Sequence, residues 1–482
     1  MDARNKISRR DMLKMSAAGA AGAAATVLPA GMVSASAPSQ DEIVLNIDFR
    51  NYGADPTGEN QAQGKALEAF LDSYKMMHPN VTVNHAPIDP GAWGDIQQWV
   101  ARRLVAEDGP DLLFGNWTYL IEDWMKGDLV GWWDPYLESP NPYVEGNERW
   151  VDQFIKPGER QSNGMSAWLG LDNTTLWTWY NADMFDAHGW SVPTTWSEQI
   201  ALYQDIQDNS DVIPLATHYN PIPHYAVWSF DMVGNQVLHT VFEDLAEFSE
   251  REPLPAQVAA GVLDGRYGID QGPYQDTIRL VSEWWQYAGA GAHGGGDANI
   301  PYSQFLGGQA ATRYTGIWEN RNLLLDMPDT DSPFSWGAFP IPVVGSELSE
   351  HATGHATAAV FVAGATLFTL PAYNSGARRD ATADLLMYMS VPENLAPFIE
   401  EFQGFVPNIK NTPLPPTLAG FAVPDDATYW YVNSWGGTHI TQEARDAWAR
   451  NWQLVLLDAM SWDEFTEIMQ AELVKAAEDT LA

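Results

Sequence analysis

The sequence predicts an α/β chain folded as two lobes. Three observations carry that prediction. Short apolar runs alternate with segments whose apolar residues recur at three- and four-residue spacing; the alternation starts near residue 42 and again near 172; and 482 residues exceed what one hydrophobic core usually supports. Hydrophobic residues make up 45% of the chain, which excludes general disorder, and 31 prolines with 39 glycines imply many turns.

The amino terminus stands apart from this pattern. Arg9-Arg10 precede Asp11-Met12-Leu13-Lys14 and an Ala/Gly-rich apolar segment ending near Ala37, which resembles a twin-arginine (Tat) export signal. Cleavage after Ala35 is expected, because cleavage after Ala37 would leave Pro38 first; a retained anchor over Met15–Val33 is the alternative. The sequence holds no cysteine, so it offers no disulfide, thiolate metal site or cysteine-linked lipid anchor. No later run reaches the roughly 20 apolar residues of a membrane span. A soluble protein exported to the periplasm or cell exterior is expected. Its formal charge is −38, and loss of residues 1–35 removes five basic and two acidic residues and leaves about −41. Such acidity disfavours nucleic acid and anionic lipid as partners and fits a salt-adapted surface.

Along the mature chain, Glu42–Phe49 reads as a largely buried first strand. Leu67, Phe70, Leu71 and Tyr74 mark a helix stopped by His78-Pro79-Asn80, and Val81-Thr82-Val83 a second strand. Ile96, Val100 and Leu104 describe the next helix, within Asp95–Glu107, and Asp111–Phe114 the next strand. Asn116-Trp117 lies just beyond it, in the crevice region where α/β folds collect ligands. Thr175–Asn181 is an aromatic strand, and Thr195 with Glu198 forms a reciprocal capping box opening a helix whose inward residues are Ile200, Tyr203 and Ile206. Helices are expected at Gln275–Tyr287, around Leu385, Leu386 and Met389, and at Gln442–Leu456; strands at Phe334–Pro342 and Thr357–Val362. Ser390–Glu393 and Ser461–Glu464 read as further capping boxes. Trp448 and Trp452, four apart in a helix, are expected to be packing anchors.

Twenty-two tryptophans are the most informative chemical feature. An aromatic face offers apolar area and a negative quadrupole to the C–H face of a sugar, and neighbouring carboxylates and amides hydrogen-bond hydroxyls. Trp318-Glu319 fits that need best, because Gly316 marks a tight turn or close approach and the chain then presents an aromatic plus an acceptor. Secondary candidates are Trp117 beside Asn116, Asp48 beside Phe49, Trp93 in a Pro/Gly loop, and Trp177, which shares a strand face with Trp179. Carboxylates are too numerous for a catalytic pair to be singled out, and no nucleotide cradle or nucleophile elbow is present. His351 and His355 lie four apart beside Gly354 and do not read as a zinc helix; no metal, no cofactor and no catalytic residue is expected.

In order, these motifs resemble the extracellular solute-binding proteins of ABC sugar importers, the maltose- and oligosaccharide-type family. The resemblance runs through the first strand and helix, Gly109-Pro110-Asp111, Trp179–Phe185 with Gly189 and Pro193–Trp196, Phe305–Ala311 leading to Gly316-Ile317-Trp318, and Phe405-Val406-Pro407. It covers nearly the whole mature chain. It implies the two-lobed periplasmic-binding-protein fold with a hinged interlobe cleft. Lobe 1 would comprise 41–170 plus about 357–408, and lobe 2 about 172–350 plus about 420–480, with crossovers near 166–174, 350–357 and 405–425. Trp318 matches the tryptophan that often stacks on sugar in this family; Glu319 is an adjacent acceptor. The implied function is reversible binding of a mono- or oligosaccharide and its delivery, by a monomer, to ABC permease subunits docking on both lobes. A binder of a polyol or glycerol phosphate, and a secreted glycoside hydrolase or lyase, remain as alternatives.

Overall fold

The computed structural model describes residues 41–54, 61–87, 96–114, 124–125, 127–155, 165–219, 224–246, 253–294, 297, 299–356, 360–361, 366–421 and 441–482. The chain divides into the units Met1–Asp41 and Glu42–Ala482, and every element below belongs to the second. Among the described residues the strands are β1 (Ile43–Ile47), β2 (Val81–His85), β3 (Leu113–Phe114), β4 (Trp168–Gly170), β5 (Asp172–Asn181), β6 (Ile213–Ala216), β7 (Ala310–Gly316), β8 (Trp336–Phe339), β9 (Val360–Phe361), β10 (Leu367–Thr369) and β11 (Val406–Pro407).

The first strands and helices build an α/β layer. Strands β1 and β2 are parallel, with Ile43 opposite Val81 and Ile47 opposite His85. Helix α1 (Gln61–Met77) joins them and buries Leu67, Phe70 and Tyr74 as its spacing predicts, while Leu71 is only partly buried. Strand β1 is less buried than expected. Leu45 and Ile47 face the core, whereas Val44 and Asn46 are exposed, because side chains alternate and only one face packs inward. Helix α2 (Ile96–Ala106) buries Val100 and Leu104. The chain then returns beside β1, where the Asp111 N–H donates to the Asn46 carbonyl (2.7 Å) and Ile47 bridges Leu112 in parallel. Strand β10 runs antiparallel between β3 and β4 and completes this layer.

The ten-residue β5 organises the rest. Its second half pairs antiparallel with β7, from Leu176 opposite Gly316 to Tyr180 opposite Thr312, and with β8; β6 adds to β7 in parallel. Its first half pairs with β11 at Asn173–Val406 and with β9 at Thr174–Phe361. Cross-strand partners share a face, so Trp177 and Trp179 lie on the same side as Thr315 and Arg313. Helix α3 (Trp196–Asn209) opens with both bonds of the Thr195–Glu198 capping box and buries Tyr203 and Ile206; Ile200 is partly buried. Helix α4 (His224–Val237) follows β6, and α5 (Gly272–Trp285) packs the edge of Trp284 on Tyr314 at 4.7 Å. Helix α6 (Trp318–Asp326) begins directly after β7, a helix the sequence pattern did not signal.

Later elements correct one local reading. Helix α7 (Gly376–Met389) buries Leu385, Leu386 and Met389, but α8 (Pro392–Phe402) is not opened by a Ser390–Glu393 capping box. Val391 takes the N-cap position. The Ser390 hydroxyl is buried and otherwise engaged: it donates to the Met387 carbonyl (2.8 Å) and accepts from Trp150 Nε1 (2.8 Å) and Asn141 Nδ2 (3.2 Å). Helix α9 (Gln442–Leu456) buries Trp448 and Trp452. Helix α10 (Trp462–Leu481) is capped by Ser461, whose hydroxyl accepts from the Glu464 N–H at 3.2 Å, the one bond of the expected box that forms.

Candidate functional site

Strand β7 and the start of α6 carry the sequence's leading site residues, and the turn between them explains their placement. Gly316 ends the strand, Ile317 is fully buried as the helix N-cap, and Trp318 is partly exposed at the first helical position. The Trp318 ring folds back over Gly316: a Cβ built on that glycine would fall 1.8 Å from Trp318 Cζ3 and 2.1 Å from Cη2. The close approach signalled by Gly316 is therefore that of the tryptophan itself. Trp228, on α4, meets Trp318 edge to face at 5.5 Å and 69°. Two indoles from different helices thus meet at the end of β7, with hydrocarbon area and N–H groups in one place.

Glu319 differs from its expected role as a presented acceptor. It is buried, and Arg313 grips it from β7 with Nε on Oε2 at 2.6 Å and Nη2 on Oε1 at 2.5 Å. That fork-to-fork pairing is the form that best supports a carboxylate out of water. Next along the helix, Asn320 Nδ2 donates to the Gln403 carbonyl (3.0 Å), and its Oδ1 accepts from Trp336 Nε1 (3.3 Å). His218, at the end of β6, is buried close to this pair. Burial first, and the Arg313 charge second, push its pKa down to about 4, while Glu319 and Asp297 oppose the shift. At neutral pH it is an uncharged imidazole.

The remaining candidates are placed as follows. Trp177 is buried on the β5–β7 face that holds Arg313 and stacks on Phe421 at 5.7 Å and 22°. Asp48 and Phe49 are buried at the carboxyl end of β1, in the first layer. Asp48 accepts from the Arg50 N–H at 3.0 Å, and Phe49 lies 5.9 Å from the His85 ring. Trp93, Asn116 and Trp117 lie outside the described residues. The structure thus brings Trp318, Glu319, Arg313 and Trp228 together, and leaves Asp48 and Phe49 in the other layer. Trp228 was not foreseen, since the proline-containing stretch before it gives no helical signal. Among the described residues no cluster of His, Cys, Asp or Glu is arranged to hold a metal, and no helix is long and apolar enough to cross a membrane.

With this geometry in view, the chain's likenesses are specific. The family model of bacterial extracellular solute-binding proteins matches residues 57–365, and that of the twin-arginine translocation signal matches residues 6–26. The chain belongs to the bacterial extracellular solute-binding protein family and carries a Tat signal for export. Its fold is shared with a solved chitin oligosaccharide binding protein (16% identity, TM-score 0.61, 91% of this chain and 100% of that one). It is likewise shared with the sugar-binding protein MalE of Xanthomonas citri (15%, 0.59, 91% and 98%) and with apo RafE of Streptococcus pneumoniae (15%, 0.59, 91% and 99%). No curated protein sequence matches the chain. These likenesses define a two-lobed α/β solute-binding fold with an interlobe cleft.

Proposed function

We propose that this protein binds a mono- or oligosaccharide reversibly between its lobes and delivers it, as a monomer, to an ABC permease. The observation that carries the reading is Trp318: a partly exposed indole at a helix start, seated on Gly316 and flanked by Trp228. An aromatic face beside polar groups in a cleft is what a hydroxylated, C–H-faced ligand needs against the competition of water. Solved proteins of the same fold whose names specify chitin oligosaccharide, raffinose and cycloalternan support a sugar as the solute.

The neighbouring charges favour a neutral sugar over glycerol phosphate. Arg313 is held by Glu319 through two bonds, and Arg321 lies 5.3 Å over the Phe402 ring, so the guanidinium groups carried by β7 and α6 are already engaged. The same ion pair occupies both oxygens of the carboxylate adjacent to Trp318, which favours binding over glycoside cleavage. The hinge is proposed where β9 and β11 pair with the first half of β5, next to the β4–β5 junction. Closure there would be populated by whatever free energy the ligand gains from touching both lobes. Asp48, Phe49, Trp93, Asn116 and Trp117 are proposed as the first lobe's contribution, and Trp177, buried and stacked on Phe421, as core that backs the second lobe's wall without touching the ligand. Calorimetry against maltotriose, raffinose, N,N′-diacetylchitobiose and glycerol phosphate tests the reading: saturable binding of a neutral sugar without turnover supports it, and hydrolysis of a glycan without reversible binding contradicts it.

A further inference from the structure

We infer that Gly316, Arg313 and Glu319 form a mount that fixes the attitude of the Trp318 ring, so that these residues set sugar affinity without touching the sugar. The inference rests on the reading of Trp318 as the sugar platform. A ring pays for stacking with its own freedom, and a side chain already immobilised loses less on binding. Two contacts and one tie in the neighbouring backbone immobilise this one. The ring lies where a Gly316 Cβ would be, 1.8 to 2.2 Å from Cζ3, Cη2 and Cε3, so the backbone itself is its floor. Trp228 stands against it edge to face. The residue following Trp318 is tied to the strand preceding it by the buried two-pronged Arg313–Glu319 pair, which closes the turn from β7 into α6 as a rigid loop.

A buried ion pair carries a desolvation cost, and apolar residues of similar volume in its place often leave stability unchanged or raised. Simple stability therefore gives little reason for this arrangement, whereas fixing one geometry does. Gly316 adds an independent argument. Its φ lies outside the left-handed region, so alanine is compatible with the backbone, and the three nearest atoms its methyl would meet all belong to the Trp318 ring. Gly316→Ala is consequently a way to shift the ring while keeping it.

The test uses the full mature protein labelled with 5-fluorotryptophan, its Trp318 19F resonance assigned by its loss in Trp318→Phe. In Gly316→Ala and in the double variant Arg313→Met/Glu319→Leu, the Trp318 resonance is expected to shift or broaden while resonances of core tryptophans such as Trp452 stay in place. For a wild-type protein that binds maltotriose, both variants should bind it about tenfold more weakly, the scale of one oriented aromatic contact. A Trp318 resonance unmoved in either variant overturns the mount, as does full affinity in both. The NMR comparison needs no sugar, so failure of the sugar reading leaves this result readable. Should Gly316→Ala fail to fold, the double variant decides alone.

Discussion

The proposed hinge can be probed at Asn408, a residue far in sequence from Trp318. Asn408 follows β11 and is buried. Its Nδ2 donates to the Gly170 carbonyl at 2.8 Å, and its Oδ1 accepts from Asn173 Nδ2 at 2.8 Å, so one side chain staples β11 to the end of β4 and the start of β5. Asn408→Ala deletes both bonds and keeps the backbone bond from the Asn408 N–H to the Leu171 carbonyl. Two net hydrogen bonds at about 1 kcal/mol each, plus the desolvation penalty of buried partners left behind, put the loss at about 2–4 kcal/mol. Urea unfolding followed by far-UV circular dichroism measures it. Amide exchange should quicken together at residues 172–175 and at 406 and 408, because the staple holds those strands against each other. A loss below about 1 kcal/mol with unchanged exchange would refute the reasoning.

Other expectations follow from burial and charge. Trp177→Ala, at a fully buried site stacked on Phe421, should cost about 3–5 kcal/mol in urea unfolding; a near-neutral variant that loses sugar affinity would make Trp177 a ligand contact instead of core. His218 has a folded pKa of about 4 against an ordinary 6.5, so between those values the unfolded chain binds the extra proton. Its contribution is complete above pH 6.5 and is lost as pH falls toward 4, and His218→Gln should flatten the stability profile across that window; an identical slope would contradict this. A charge of −38 repels itself, and raising NaCl from 0.1 to 1 M shortens the screening length from about 10 Å to about 3 Å. The melting temperature should rise with NaCl, and a flat or falling trend would count against a salt-adapted surface.

Much of the architecture was legible wherever periodicity and burial agree. Leu67, Phe70 and Tyr74 recur at helical spacing because one face of α1 must reach the core, and Thr195 with Glu198 closes a local box that needs no tertiary partner. The misreadings share a different physics. Ser390 looked like a cap, yet Trp150 and Asn141, more than 200 residues away in the chain, compete for its hydroxyl and win. Glu319 looked presented because Arg313 six residues earlier cannot be recognised as its partner until the β7–α6 turn folds the chain back. Trp228 escaped notice because its contact with Trp318 joins two helices that no local pattern relates. Gly316 reads in the sequence as a tight turn or a close approach, while the identity of the approaching group, the ring of Trp318, emerges only from the fold.

The central claim is that Trp318 is the platform on which a neutral sugar stacks, and titration calorimetry of wild type and Trp318→Ala with the best-binding sugar of the panel tests it most directly. Covering about 80 Å² of indole at about 25 cal/mol per Å² is worth about 2 kcal/mol, so the variant should bind about thirtyfold more weakly while its circular dichroism shows it still folded. Unchanged affinity in a folded Trp318→Ala protein would contradict the account.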